Sequence, residues 1–382
     1  MVRWATYGAV TGAVVLVGLA LGLSLPLVSL RLDQWGYGQF AIGVMAAMPA
    51  IGVLLGARLT HAFAARCGTP RSLQASLLLS AVSVAALALW PTYGLWLALR
   101  LLLGISLTVV FVLGESWINQ LAGDAWRGRL VALYGTAFAL SQLCGPLLLS
   151  VLGTADDRAF WLAGALLVLG CVLVLGRDGA PEVGRHALGA RDLLDFCRGQ
   201  PAIAWAVVLF AAFDVLVLTP LPVYLLHEGI AQASALRMLG ALVLGNALLQ
   251  LPLGLLADRL PRAALFRACG VLLLVSSLAL PPLLHSALVW LLLPLLGASA
   301  GGLYTLALVL VGARYRDDAL VRANAHIALL WGFGCLLGPL SSGAASQWLS
   351  GHGLPLLLAG GAALFLLLAA RRGAFELRGD SG

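Results

Sequence analysis

Asp214 stands inside a long apolar run of this sequence, where a carboxylate is costly and therefore informative. It lies between Phe213 and Val215, about 13 residues into a run that begins near residue 201. A carboxylate at that depth in a membrane costs several kcal/mol unless it is paired, hydrated or protonated. Reversible protonation would make Asp214 the coupling group of a proton-driven transporter. The alternative interpretation is a structural Asp that stays protonated or hydrogen-bonded.

Arg100 is the cation inside another apolar run, about 9 Å below the start of its predicted helix at 1.5 Å per residue. Because arginine keeps its proton, Arg100 could bind an anionic substrate or influence a carboxylate; alternatively its head group reaches the outer lipid head groups. Glu115 follows fifteen residues later, too far along the helix to pair with Arg100. Arg58, Arg127 or Arg129 are better partners for Glu115 in a structural gate, and proton carriage by Glu115 is the second interpretation.

Uncharged polar residues in the apolar runs are weaker candidates for contacts with a substrate. Asn246 and Gln250 are four residues apart and share one helix face. Amide and hydroxyl side chains also join helices inside membranes, which is the competing interpretation. The full set comprises Gln142, Asn246, Gln250, Tyr304 and Thr305.

Several kinds of chemistry are excluded or disfavoured by what the sequence lacks. All 23 basic residues are arginine, so there is neither a Walker A lysine nor a lysine for a Schiff base. An HExxH motif is absent, and we expect no enzyme. The six cysteines have no metal-binding spacing and are expected to be small packing residues. We expect no cofactor and no metal, with the proton as the coupling ion.

The composition requires lipid as the solvent. Hydrophobic residues make up 61% of the 382 residues and charged residues 10%, with a mean hydropathy of +1.00, whereas a soluble domain has roughly 25% charged residues. About 20 apolar residues cross a bilayer as a helix. Twelve such runs predict an all-α membrane protein, with spans near 7–30, 40–63, 72–90, 94–118, 129–153, 158–176, 201–226, 236–256, 264–284, 287–312, 322–348 and 354–370.

The two halves of the chain repeat one pattern. Gly52 and Gly245, and likewise Gly104 and Gly297, stand 193 positions apart, and Gly-Pro pairs recur at the same offset. We therefore predict two pseudo-symmetric six-helix halves, residues 1–176 and 201–382, joined by a polar cytoplasmic linker at 177–200. Its segment 190–199 is expected to form a short surface helix. Parallel repeats in a membrane protein are typical of a secondary transporter with its binding site between the halves.

Arginine distribution predicts the orientation. Nineteen arginines lie at the termini, in the linker or at one set of span ends, and only Arg31, Arg158 and Arg237 lie on the opposite side. Loops rich in positive residues stay on the cytoplasmic side, so we expect both termini in the cytoplasm. The protein itself is expected in the inner membrane of a bacterium. The same asymmetry explains the net charge of +7 without a nucleic-acid partner. Four tryptophans are expected as anchors at the outer interface: Trp90, Trp96, Trp161 and Trp290.

Three motifs resemble those of the major facilitator superfamily. The segment from Gly254 to Arg262 matches the family's G-x-L-a-D-R-x-G-R loop, while its counterpart from His61 to Arg71 is degenerate. The second motif is Arg100-x-x-x-Gly104, and the third is the Gly-Pro pair of the fifth span, which resembles the exporters' motif. The resemblance implies a cytoplasmic gate and packing or hinge positions. The gate set is Arg58, Arg66, Glu115, Arg127, Arg129, Asp258, Arg259, Arg262 and Arg322, and the hinge set is Gly145, Pro146, Gly338 and Pro339.

The expected function is transport by alternating access. The resemblance favours proton-coupled efflux of a small amphipathic organic molecule by a monomer in the lipid bilayer. An uptake symporter or facilitator for a small anionic metabolite, with Arg100 holding the anion, is the alternative. A membrane sensor or assembly partner that does not transport is the third reading, although the sequence supplies no output domain.

Overall fold

The computed structural model describes residues 4–121, 127–177, 190–315, 317–348 and 351–371. Within these ranges the chain is helical, and no strand occurs in them. The first half contains α1 (Trp4–Gln34), α2 (Gln39–Cys67), α3 (Thr69–Leu89), α4 (Tyr93–Leu121), α5 (Arg127–Leu152) and α6 (Arg158–Val174). The remaining helices are α7 (Ala190–Gly199), α8 (Pro201–Leu218), α9 (Pro220–His227), α10 (Gln232–Arg259), α11 (Arg262–Leu283), α12 (Val289–Arg314), α13 (Asp317–Trp348) and α14 (Gly353–Ala369).

The predicted spans correspond to these helices. In the described part of the chain, nine helices are long and apolar enough to cross a membrane, and α6 and α14 are shorter apolar helices. The 28-residue α10 covers the predicted span 236–256. Large apolar side chains point away from the protein, such as Val82 and Leu367 at 65% and 68% exposure. A helix satisfies its own backbone groups, and its outward apolar side chains suit lipid. The chain is an all-α membrane protein with twelve transmembrane helices in two halves.

One predicted span is interrupted. The run 201–226 forms two helices, α8 and α9, separated by Thr219 with φ −120° and ψ −73°. Pro220 has no backbone N–H and disfavours a helical conformation in the residue before it. Thr219 donates its hydroxyl proton to the carbonyl of Val215 at 2.6 Å, which satisfies one acceptor at the end of α8. The break lies five residues after Asp214.

The described helices divide into two compact units. The first comprises Met1–His186 with Gly229–Gly240, and the second comprises Ala187–Glu228 with Ala241–Gly382. In the first unit α1 packs against α5 and α6, and α2 packs against α4. In the second unit α8 packs against α13, and α11 packs against α12 and α14. Each unit therefore positions its own candidate residues by internal helix packing.

The repeat seen in the sequence also holds at the backbone. A Cβ added to Gly104 of α4 would lie 2.7 Å from the Cα of Pro49 in α2. A Cβ added to Gly297 of α12 would lie 3.0 Å from the carbonyl carbon of Leu242 in α10. Leu242 follows Pro49 by the same 193 positions that separate the two glycines. Both crossings are too close for any side chain, so glycine is required for the same reason in each half.

Of the four predicted tryptophan anchors, three have the exposure that such anchors need, while the prediction for Trp96 is wrong. Trp90, Trp161 and Trp290 are 57%, 49% and 46% exposed, as interfacial side chains should be. Trp96 is only 1% exposed. Its indole N–H donates to the carbonyl of Leu87 at 3.1 Å, and its ring lies 4.7 Å from that of Trp35. Because the indole N–H has a hydrogen-bond acceptor inside the protein, this side chain can be buried and need not lie at the membrane interface.

The short helix expected at 190–199 is confirmed as α7, and it is anchored within the second unit. Phe196 is buried, and its ring centroid lies 5.3 Å from that of His326 and 6.3 Å from that of Tyr315. Leu194 on the same helix is 54% exposed. Burial raises the pKa of the Cys197 thiol, which adjoins the anchoring ring. The buried ring of Phe196, with His326 and Tyr315 beside it, therefore anchors one face of this helix.

Candidate functional site

The carboxylate of Asp214 lies on α8 in the second unit and is partly exposed. Among the described residues it has neither an ion-pair partner nor a hydrogen-bond donor. The thiol of Cys335 on α13 is close enough to interact with the carboxylate electrostatically. An unpaired carboxylate in an apolar helix needs a proton, water or a ligand.

Three aromatic rings meet one helical turn from Asp214. The rings of Phe210 and Tyr304 are nearly parallel, at 18° and 5.0 Å between centroids. Trp331 stands at 69° to Phe210 and 67° to Tyr304, with centroid distances of 5.4 Å and 5.0 Å. The cluster therefore draws one ring each from α8, α12 and α13. Tyr304 and Trp331 are partly exposed, so the cluster is not sealed in the core.

Two glycines of α13 allow this arrangement. A Cβ on Gly334 would lie 2.6 Å from the Cβ of Ala211, and one on Gly338 would lie 2.7 Å from the Cβ of Ala212. The close approach puts the thiol of Cys335 3.7 Å from the carbonyl oxygen of Ala211. Gly334 lies between Trp331 and Cys335 in sequence, so it sets the distance of both from α8.

The Gly-Pro pairs lie at close helix contacts in both units. Gly145 and Pro146 are buried in the first unit, where a Cβ on Gly145 would lie 2.6 Å from the backbone nitrogen of Leu23. Gly338 and Pro339 are buried in the second. These glycines serve close packing, while their action as hinges stays a prediction.

Arg100 is enclosed within the first unit. Its side chain is 1% exposed, and its three guanidinium nitrogens have no hydrogen-bond partner among the described residues. The side chain therefore does not reach the protein surface, contrary to the interpretation in which it extends to the lipid head groups. A buried guanidinium without a partner is costly, and an anion or a rearrangement of the helices would relieve that cost.

Glu115 lies in the C-terminal part of α4, and the residue is exposed. It interacts electrostatically with Tyr134 of α5. A Cβ on Gly114 would lie 3.3 Å from the Tyr134 hydroxyl, so a small residue leaves room for the phenol beside Glu115. Arg129 is exposed and has a partner of its own.

The other predicted residues are spread over both units. Arg66, Arg259, Arg262 and Arg322 are exposed, as gate residues need to be. Gln142 and Asn246 are partly exposed, and Asn246 and Tyr304 have further interactions. Four predicted side chains lie outside the described part of the structure: Arg58, Arg127, Gln250 and Asp258.

Sequence reasoning missed Phe210 and Trp331. Aromatic residues in apolar runs carry no signal of their own, because they usually fill the core. The repeat contains a usable signal. Tyr304 and Trp331 follow Phe111 and Phe138 by 193 positions, and the latter pair forms the same edge-on contact at 5.2 Å. A comparison of aromatic positions between the halves would have singled them out.

Metal chemistry has no support in the described part of the chain. No group of three or more His, Cys, Asp or Glu side chains there is placed to hold a metal ion. The six cysteines are free thiols, of which Cys171 and Cys269 are buried.

Known proteins resemble the chain over nearly its full length. The sequence profile described as Major Facilitator Superfamily matches residues 10–296 and 231–377. A relative from Shigella flexneri, named uncharacterized MFS-type transporter YcaD, is 27% identical over 362 residues, covering 93% of each chain. The crystal structure of a D-xylose-proton symporter has a TM-score of 0.77 at 17% identity, covering 97% of this chain and 98% of its own. That of the nucleoside transporter NupG has a TM-score of 0.75 at 13% identity, covering 95% and 98%.

Proposed function

This chain belongs to the Major Facilitator Superfamily, and we propose that it exports a small amphipathic organic molecule in exchange for protons. The protein works by alternating access as a monomer in the inner membrane of a bacterium, with both termini in the cytoplasm. The arginine asymmetry, nineteen residues against three, supports that orientation. The Gly-Pro pair of α5, which resembles the exporters' motif, supports the direction.

The unpaired carboxylate of Asp214 carries the proposal. Its helix is almost wholly apolar, and it lacks a cation within the described part of the chain. A carboxyl group is tolerated in an apolar environment when it is protonated. When it contacts water, it can lose that proton and carry a charge. A carboxylate that alternates between these conditions couples proton movement to a conformational cycle. Asp214 is therefore the coupling residue of the proposed exporter.

The exposed arginines supply the gate of the same proposal. Arg259 and Arg262 stand at the end of α10 and the start of α11, where the family's loop motif lies. Charged contacts that form in one state and break in the other bias a rocking cycle toward one face. Arg259 thus governs the rate of the cycle and does not bind the substrate.

Arg100 supports a second candidate, uptake of a small anionic metabolite with protons. Its buried guanidinium, which lacks a partner among the described residues, would be satisfied by a carboxylate or phosphate group. The similar D-xylose-proton symporter shows that this fold accommodates proton symport. The direction of transport under a pH gradient separates the two candidates, since antiport moves substrate against the proton flow and symport moves it with that flow.

The test is transport in proteoliposomes with an imposed pH gradient, using a ligand identified by thermal shift of the purified protein. Asp214→Asn mimics the protonated residue permanently. We expect this variant to exchange labelled substrate across the membrane without a gradient and to lose accumulation driven by the gradient. Full accumulation by Asp214→Asn would exclude Asp214 as the coupling group.

A further inference from the structure

We propose that Asp214 and the rings of Phe210, Tyr304 and Trp331 form a recognition site for an organic cation. The substrate would carry an ammonium or similar onium group attached to an apolar, preferably aromatic, body. This inference rests on the proposed function and deepens it by assigning the charge of the substrate.

Tyr304 and Trp331 are the partly exposed rings of the aromatic cluster, and the buried ring of Phe210 supports them from behind. Phe210 and Tyr304 lie almost parallel, while Trp331 stands nearly perpendicular to both. The faces of aromatic rings carry negative charge density and attract cations within about 6 Å of the centroid. Aromatic and alkyl groups of a ligand also pack on such rings. The cluster is thus suited to the apolar body and to part of the charge.

The carboxylate lies on the same wall as the rings. Asp214 follows Phe210 by four residues on α8, and Cys335 follows Trp331 by four on α13. Residues with this spacing share a helix face at about 5–6 Å between their Cβ atoms. Because Cys335 contacts α8 at Ala211, the faces that bear the rings and the carboxylate adjoin each other. The charged group of a ligand can therefore lie near the carboxylate while the apolar body of the ligand contacts the rings.

While Asp214 is ionised, charge complementarity favours a cation over the other classes of ligand at this position. An anion would be repelled by the carboxylate, and a neutral molecule would leave the carboxylate uncompensated. Among the described residues no arginine or histidine pairs with Asp214, so a ligand cation has no internal competitor. Arg100 is enclosed in the first unit at 1% exposure and does not present its charge to a ligand in this conformation.

The first half of the chain provides an internal comparison. It repeats the aromatic pair as Phe111 and Phe138, but the position 193 residues before Asp214 is Leu21. The pair alone is therefore a feature of the repeat, whereas the carboxylate beside it belongs to the second half only. A site that combines both is a departure from the duplicated pattern.

The experiment measures binding of two probes that have the same shape and opposite charge. Tetraphenylphosphonium and tetraphenylborate are added to the purified full-length protein in a neutral detergent, and binding is followed by equilibrium dialysis. We expect saturable binding of the cation and weaker binding of the anion. Asp214→Asn should lower affinity for the cation about tenfold or more, since the Coulombic attraction between the carboxylate and the cation is lost. Trp331→Leu should lower it about three- to tenfold.

The matched control is Phe138→Leu, which removes the equivalent ring from the first unit and should leave cation affinity unchanged. The thermal unfolding midpoint of each variant confirms that it is folded, and Tyr304→Leu replaces any variant that is not. Equal cation binding by wild type and Asp214→Asn would overturn the inference, as would preference for tetraphenylborate or no saturable cation binding. Cation binding without proton-driven transport would instead refute the proposed export function and leave the site standing.

Discussion

Substitution of Gly334 by alanine should separate α13 from α8 at the candidate site. The new Cβ would lie 2.6 Å from the Cβ of Ala211 and 3.1 Å from the backbone nitrogen of Ala212. Carbon atoms in contact prefer about 3.5–4.0 Å, so one helix must retreat by about 1 Å. An alanine methyl has no rotamer that avoids the clash, and its neighbours belong to the backbone or to another methyl group.

The magnitude follows from two opposing effects. Overpacking in a tight contact costs about 1–3 kcal/mol. Replacing glycine by alanine inside a helix gains about 0.5–1 kcal/mol through the unfolded chain and helix propensity. Gly360→Ala in α14 isolates the second effect, because a Cβ at Gly360 meets no atom within 4 Å. The difference in unfolding free energy between the two variants is therefore about 1–3 kcal/mol, with Gly334→Ala the less stable.

The assay is thermal unfolding of both variants in the same detergent, together with tetraphenylphosphonium affinity. A deficit of about 2 kcal/mol should lower the unfolding midpoint by roughly 2–3 °C relative to Gly360→Ala, because the unfolding entropy of a chain this long is about 0.8 kcal/mol/K. The retreat of α13 also lengthens the 5.4 Å contact between Trp331 and Phe210, so cation affinity should fall in Gly334→Ala alone. Equal midpoints for the two variants would show that α8 and α13 do not approach as closely as described.

Further expectations concern the orientation, the gate and the linker helix. In a variant without the native cysteines, a cysteine at Thr92 should react with an impermeant reagent outside intact cells, and one at Asp317 should not; the reverse pattern would invert the topology. Arg259→Ala should slow transport while substrate affinity stays within a few-fold, and a collapse of affinity in folded protein would place Arg259 in the binding site. Because burial raises the pKa of the Cys197 thiol, its maleimide labelling should require a higher pH than that of an ordinary thiol. Phe196→Ala should undock α7 and shift that labelling profile toward lower pH; an unchanged profile would contradict the anchoring role of the ring.

The membrane architecture is readable from the sequence alone. Each span must satisfy its backbone groups internally and present apolar side chains to lipid, and both requirements are local. Hydropathy therefore located the helices to within a few residues, as for α3 (predicted 72–90, observed Thr69–Leu89). The glycine repeat was also readable, since a close crossing imposes the same residue at the same offset in each half. The helix break at Thr219 could also have been predicted from the sequence, because Pro220 disfavours a helical conformation at the residue before it.

The surroundings of each polar residue depend on how the helices pack. Asp214 and Arg100 stand out in the sequence because a charged residue in an apolar run is energetically costly. That Asp214 is partly exposed and Arg100 is enclosed depends on the neighbouring helices. Trp96 could be placed at an interface by its position, yet Leu87 supplied a buried acceptor for its indole. The cluster of Phe210 with Tyr304 and Trp331 joins three helices that are far apart in the chain. Helix packing set by glycines brings these rings together beside a carboxylate, and a one-dimensional pattern does not encode which helix faces meet.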